Sequence, residues 1–208
     1  AQRVGPAGRV IGVDIADGMV AATLADMGRR GVQNAEVRVM DAEHLSFADA
    51  EFDRVLCGFG IMFFPAVERA MAEAYRVTRP GGCIAISTWV GNGGERWRFV
   101  TELAESIVGT SRTLDGRWES AQGLGDLLAE AGCAQVSIVE EAHSFPFSSP
   151  QEWWQWMWSQ GQRFYLEKMN EEDRERFKHT VFERLKLMER NDELRLDQRM
   201  RLALGRRA

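Results

Sequence analysis

Two stretches decide the fold: Arg9-Val10-Ile11-Gly12-Val13-Asp14 and Ala35-Glu36-Val37-Arg38-Val39-Met40-Asp41. Each is a short run rich in β-branched residues, and each ends on an aspartate. Such runs read as strands of a buried parallel sheet. The segment between them carries Met19, Val20, Leu24 and Met27 at helical spacing, with Asp17 placed to cap its start and Gly31 to end it. Strand, helix, strand is the βαβ unit of a parallel sheet. In an open sheet of that kind ligands gather beyond the carboxyl ends of the strands, which is where Asp14 and Asp41 fall. Two carboxylates on neighbouring strand tips suit the hydroxyls of a ribose and the amine of an adenine.

The same rhythm continues outward. Residues 41–51 form a polar loop with one apolar hook, Leu45-Ser46-Phe47. Phe52-Asp53-Arg54-Val55-Leu56-Cys57 reads as a third strand, running into Gly58-Phe59-Gly60. Pro65 opens a helix carrying Val67, Ala70, Met71, Ala74 and Tyr75, which stops at Arg79-Pro80-Gly81-Gly82 before a fourth strand, Cys83 to Trp89. The second half predicts helices over Glu95 to Thr110, Ala121 to Ala131, 150–169 and Glu171 to Arg190, and strands over Ala134 to Glu140 and Leu194 to Gly205. Asn170 is placed to cap the last helix, whose apolar stripe is Phe177, Val181, Leu185 and Met188. The last strand alternates Met200, Leu202 and Leu204.

Composition narrows the class. A net charge of −5 over 208 residues does not favour nucleic acid or an anionic membrane surface as partner. No apolar run is long enough to span a bilayer. Cys57, Cys83 and Cys133 have neither zinc-ligand nor redox spacing, so no metal is expected. An odd cysteine count without a framework suits a reducing cytoplasm.

Taken in order, these pieces resemble the class I S-adenosylmethionine-dependent methyltransferases, in the branch similar to the ubiquinone/menaquinone-biosynthesis enzymes. Four stretches carry the likeness: Val10-Ile11-Gly12-Val13-Asp14-Ile15 with Met19; Met40-Asp41-Ala42-Glu43-His44-Leu45-Ser46-Phe47; Phe52 to Gly60; and Tyr75-Arg76-Val77-Thr78-Arg79-Pro80-Gly81-Gly82. The resemblance implies a Rossmann-like, doubly wound, mostly parallel α/β sheet with helices on both faces. Its core would comprise residues 1–148 and 193–208, and residues 149–192 would form a helical cap over the substrate. It also implies roles. Asp14 would accept from both ribose hydroxyls, Ile15 and Met19 would pack on the adenine, and Asp41 would accept from the adenine amine. The Ala42 amide would donate to the ring, the Cys57 carbonyl would take the methionyl ammonium, and Glu43 would cap the loop.

One family element is missing from the pattern. The first motif, a strand with a glycine-rich loop, would precede Ala1, and in the family this strand is the central one. Its absence predicts a gap of about two inter-strand spacings, roughly 10 Å, beside the strand ending at Asp14. Three outcomes follow from that. The native chain is longer and these residues are an N-terminally truncated form of it, another chain fills the slot, or the sheet closes up and the site is lost. As it stands the chain is expected to bind S-adenosylmethionine weakly or not at all.

Methyl transfer asks the protein to align nucleophile, methyl and sulfur and to exclude water. No general base is identifiable; His143 is the best placed of the three histidines, and His44 reads as a solvated loop residue. Trp153, Trp154, Trp156 and Trp158 crowd into six residues with Met157. Trp154 and Trp158 share one helical face, and Trp153, Trp156 and Met157 share another. With Phe59, Met62, Phe63 and Trp89 at strand ends, Trp154 and Trp158 suggest a pocket for a hydrophobic or aromatic small molecule. Indoles equally suit a subunit contact in a homodimer, or the plain burial of a helical insertion. Two other readings compete. A methyltransferase-like chain can be an inactive partner subunit. A nicotinamide-dependent oxidoreductase of the short-chain type would need a lysine four residues after a tyrosine, whereas Tyr75 is followed there by Arg79 and Tyr165 by Met169.

Overall fold

A computed structural model describes residues 1–91, 95–110, 116–159, 161–191 and 194–208. Six strands and seven α-helices are described: β1 (Val10–Asp14), α1 (Asp17–Arg29), β2 (Ala35–Val39), β3 (Phe52–Gly58), α2 (Val67–Val77), β4 (Thr78–Val90), α3 (Arg98–Val108), α4 (Ala121–Glu130), β5 (Cys133–Pro146), α5 (Pro150–Met157), α6 (Arg163–Lys168), α7 (Glu171–Arg190) and β6 (Arg195–Arg207). The α/β class and the order of the predicted elements hold. The chain divides into two compact units, one of Ala1–Ile86, Gln122–Ser137 and Ala203–Ala208, the other of Ser87–Ala121 and Ile138–Leu202.

β1 and β2 pair in parallel, Val10 opposite Ala35 through Asp14 opposite Val39. They form a sheet of their own, while the remaining strands follow the order β3-β4-β6-β5. β1 therefore does not close onto β3. Of the three outcomes drawn from the missing strand, closure of the sheet is not what the structure adopts. The consequences reach the side chains. Leu56 on β3 is 76% exposed, and of the expected α1 stripe only Val20 is buried, with Met19 and Leu24 about half exposed. A helix lying on two strands has too little sheet beneath it to cover a full apolar face.

In the first unit, α2 buries Val67, Ala70, Met71, Ala74 and Val77, β4 buries Ile84 and Ile86, and α4 buries Leu124, Leu127 and Leu128. Arg207 closes the end of α2, donating to the carbonyls of Tyr75, Arg76 and Thr78 at 2.6–2.8 Å. A cation there satisfies carbonyls that have no partner within the helix and lies at the negative end of its dipole. Gly132 sits at φ 103°, and a Cβ on it would come within 3.0 Å of the Tyr75 ring, so only glycine serves at that close approach.

The second unit is built on aromatic residues. Trp153, Met157, Tyr165, Leu166, Phe177, Val181, Leu185 and Met188 belong to one buried cluster with Trp97 and Val100. Trp97 stacks on Trp153 with centroids 5.6 Å apart and planes 9° from parallel. The α7 stripe is buried as its spacing predicts, and Asn170 caps the helix by accepting from the Asp173 amide at 2.8 Å. The aromatic stretch 150–169 is two helices rather than one, α5 and α6.

Two local expectations are corrected. Asp17 is the first residue of α1 and not its cap; the cap position is Ala16, which has no side chain to offer. On β6 the buried face is Arg201, Ala203 and the glycine at 205, while Leu202 and Leu204 are 36% and 39% exposed. The apolar alternation predicts the opposite face. It fails because Gly205 lies against the Cys133 side chain, whose Cβ would be only 2.7 Å from a Cβ added at 205, and because Arg201 is neutralised in place. Its guanidinium donates to Glu140 at 2.6 and 2.9 Å and to the Glu119 carbonyl at 2.6 Å, and it holds the Glu140 carboxyl below the ordinary carboxylate range.

Candidate functional site

The tips of β1 and β2 meet where the sequence places them. The Met40 amide donates to the Asp14 carbonyl at 3.0 Å, so Asp41 directly follows the residue hydrogen-bonded to Asp14. Asp14 accepts from the Ala16 amide at 2.9 Å through one carboxylate oxygen. That bond turns the chain from β1 into α1 without capping the helix. Ile15 is 73% and Met19 57% exposed beside it, two large apolar side chains next to an ordered carboxylate.

Asp41 is held by the loop it begins. One oxygen accepts from the Glu43 amide at 2.9 Å; the other lies 3.0 Å from Nδ1 of His44. The Glu43 amide and His44 together keep its carboxyl below the usual range. Glu43 is itself buried and accepts from the Ala66 amide at 2.7 Å, so it caps α2 from the facing loop. The rest of the loop is fastened to the same helix. Glu73 accepts from the Leu45 amide at 2.8 Å, and Arg76 donates to the Leu45 and Phe47 carbonyls at 2.9 and 2.8 Å and to Asp49 at 2.8 Å. Arg76 also pairs with Glu73 at 2.7–2.8 Å. That guanidinium holds the Glu73 carboxyl below the usual range, and Glu73 with Asp49 holds Arg76 above its own. Arg69, Glu73 and Arg76 follow at intervals of four and three, which is one face of a helix. A polar stripe at that spacing is the signal by which these residues were findable in the sequence.

At the tip of β3, Cys57 is half-buried, and burial pushes its thiol up, against the hydrogen bonds it takes from the Gly60 and Ile61 amides. Phe59 adopts φ 54°. A bulky residue in the left-handed region is strained, and such strain clusters at functional sites. Phe59, Met62 and Phe63 thus belong to the first unit, with Phe63 58% exposed. Trp89, Trp154 and Trp158 belong to the second. There Trp153 and Met157 enter the core, and Trp154 and Trp158 lie under the cations of α7: Lys178 is 5.4 Å from the Trp154 ring and Arg174 5.5 Å from the Trp158 ring. His143, on β5, is exposed and 3.2 Å from a Glu141 oxygen. A cleft of about 460 Å³ in the second unit is lined by Ser144, Pro146, Phe147, Ser148, Glu189, Leu194 and Arg195. None of the expected ligand-binding residues lines it, so the strand tips of the first unit remain the candidate site. Among the described residues no group of three or more His, Cys, Asp or Glu could hold a metal ion, and no helix is long and apolar enough to cross a membrane.

Comparison with known proteins places this arrangement. Residues 1–86 match the methyltransferase domain family. The chain is 30% identical over 182 residues to nocamycin O-methyltransferase of Saccharothrix syringae, covering 80% of this chain and 65% of that protein. It is 37% identical over 157 residues to a demethylmenaquinone methyltransferase of Geobacillus kaustophilus, covering 66% of this chain and 65% of that protein. In structure it resembles the YcgJ protein of Bacillus subtilis, with a TM-score of 0.60 at 16% identity over 96% of this chain and 83% of that one. The chain spans less than two thirds of the length of the curated relatives named here. Residues 1–86 carry the likeness to a methyltransferase domain, and over its length the chain resembles S-adenosylmethionine-dependent methyltransferases and has their Rossmann-like fold.

Proposed function

We propose that the protein transfers a methyl group from S-adenosylmethionine to a hydrophobic or aromatic small molecule. The observation that carries this is the pair of ordered carboxylates, Asp14 and Asp41, on adjacent parallel strand tips joined by the bond from Met40 to Asp14. Asp14 has one oxygen engaged by the Ala16 amide and keeps lone pairs for the ribose hydroxyls. Ile15 and Met19 offer the apolar surface that an adenine covers, Asp41 accepts from its amine, and the Ala42 amide donates to the ring. The Cys57 carbonyl takes the methionyl ammonium.

When bound, the sulfonium supplies the leaving group and the methyl. The chain's own part is to hold the nucleoside, orient the acceptor and keep water out. Phe59, Met62 and Phe63 are the first unit's candidates for the acceptor's surroundings. A small aromatic acceptor is in keeping with relatives named for nocamycin and demethylmenaquinone methylation. A soluble, cytoplasmic protein without nucleic-acid partners fits the charge and cysteine pattern, and the indoles suit a homodimer contact equally.

The test is methyl transfer from labelled S-adenosylmethionine to a panel of phenols, quinols and aromatic acids, with Asp14→Ala beside the unsubstituted chain. Loss of two charge-assisted hydrogen bonds should weaken cofactor binding by about 2–4 kcal/mol. An unchanged dissociation constant would remove Asp14 from the site. Cofactor binding with no transfer to any acceptor would favour the inactive-partner reading.

A further inference from the structure

We propose that His44, held by Arg69, is a positioning residue that sets the Asp41 carboxylate for its ligand. The proposal rests on the reading of Asp41 as a nucleoside ligand. It starts from three groups in line: Arg69 Nη1 is 3.4 Å from His44 Nε2, and His44 Nδ1 is 3.0 Å from Asp41 Oδ2. An arginine is always protonated and has only donors. Nε2 facing it must therefore accept, which leaves the single proton of a neutral ring on Nδ1, where it donates to Asp41. A protonated ring would turn a second N–H toward the guanidinium. The arginine thus selects the tautomer, and the tautomer orients the carboxylate.

The second oxygen of Asp41 is fixed independently by the Glu43 amide. Together the two bonds hold the carboxylate plane, using two of its roughly four lone-pair sites and leaving the others for an incoming amine.

The line does little for stability. His44 and Asp41 side chains are 63% and 42% exposed, and exposed pairs of this sort contribute little to folding. The loop is fastened elsewhere, by Glu43 on the Ala66 amide and by Arg76 on the Leu45 and Phe47 carbonyls. An exposed chain of three side chains ending on a ligand-facing carboxylate, beside a separate set that carries the loop, is the arrangement of an orienting device. The charged groups that bear on the His44 ring are Asp41, Arg69 and Glu73.

Nitrogen-15 NMR of the full chain reads the tautomer directly. The unsubstituted protein should show His44 protonated at Nδ1 and bare at Nε2, and Arg69→Ala should abolish that preference. The Asp41 titration midpoint should rise in His44→Ala and return in His44→Asn, whose amide nitrogen stands where Nδ1 stood. Affinity for S-adenosylhomocysteine should fall roughly 3–10-fold in His44→Ala, recover in His44→Asn, and fall no further in the His44→Ala, Arg69→Ala double variant. Melting temperatures should stay within about 2 °C. An Nε2–H tautomer in the unsubstituted chain, or an Asp41 midpoint that His44→Ala leaves in place, overturns the proposal. Unchanged affinity in Asp41→Ala overturns instead the reading of Asp41 as a nucleoside ligand, whatever the tautomer shows.

Discussion

Asp14 and Asp41 are the proposed cofactor ligands, and the residues around them decide whether they are ready for that role. Arg76 is the clearest case, with one guanidinium binding two carbonyls and two carboxylates of the 41–51 loop and α2. Arg76→Ala should destabilise the protein by about 1–2 kcal/mol, a charged-group value discounted for partial exposure. Arg76→Lys should recover only part of that, since an ammonium cannot reproduce the fork; full recovery in a urea titration would contradict the account. The pH dependence follows with its sign. Glu73 has a folded value lowered first by Arg76, and Asp41 one lowered first by the Glu43 amide. Their contribution is therefore fully present above the ordinary carboxylate range and is lost as pH falls through the lowered folded values, below about pH 4. The 41–51 amides should lose exchange protection there; a loss on raising pH from 6 to 8 would be the wrong sign. The strand-tip positions of Asp14 and Asp41 and the helical position of Met19 are legible in the sequence because each follows a strand or opens a helix at a fixed offset. Arg69, Glu73 and Arg76 were not read, although their helical spacing was visible, because a charged helix face is ordinarily solvated and nothing local marks it as a docking surface.

At the scale of elements the outcome divides by whether periodicity has a partner to act on. α7 is as its pattern predicts, cap and stripe together, because Phe177, Val181 and Leu185 lie in a complete aromatic core. Phe177→Ala should cost about 3–5 kcal/mol, and Asn170→Ala about 1 kcal/mol, by thermal or urea unfolding. A loss under 1 kcal/mol for Phe177→Ala would place that residue outside the core. α1 has the same kind of pattern and leaves most of it exposed, since β1 and β2 alone lie beneath it. β6 inverts its pattern, because the alternation of leucines is outweighed by one satisfied arginine and one glycine whose missing side chain admits Cys133. Hydrophobic period names the element, whereas close approaches and ion pairs choose its face.

For the molecule as a whole, the separate β1–β2 sheet is the feature with the largest consequence. Its parallel pairing, Val10 to Asp14 on Ala35 to Val39, is complete, yet β1 has no hydrogen-bonded neighbour on its other side among the described residues. Such a sheet should open more readily than β4, which is paired on both sides. Native-state hydrogen exchange should therefore find the β1 and β2 amides less protected than those of Ile84 and Ile86. Equal protection would mean that the two sheets unfold as one. The weak cofactor binding expected of these residues has the same origin, because a nucleoside site at the tip of a loosely held strand costs more to order. A weak site is best read residue by residue. Titration of the labelled chain with S-adenosylhomocysteine to millimolar concentration, followed in nitrogen–proton NMR spectra, tests the central claim most directly. The account predicts saturable shifts at Asp14, Ile15, Met19, Asp41 and Ala42, lost in Asp14→Ala; saturable shifts confined to other residues would contradict it.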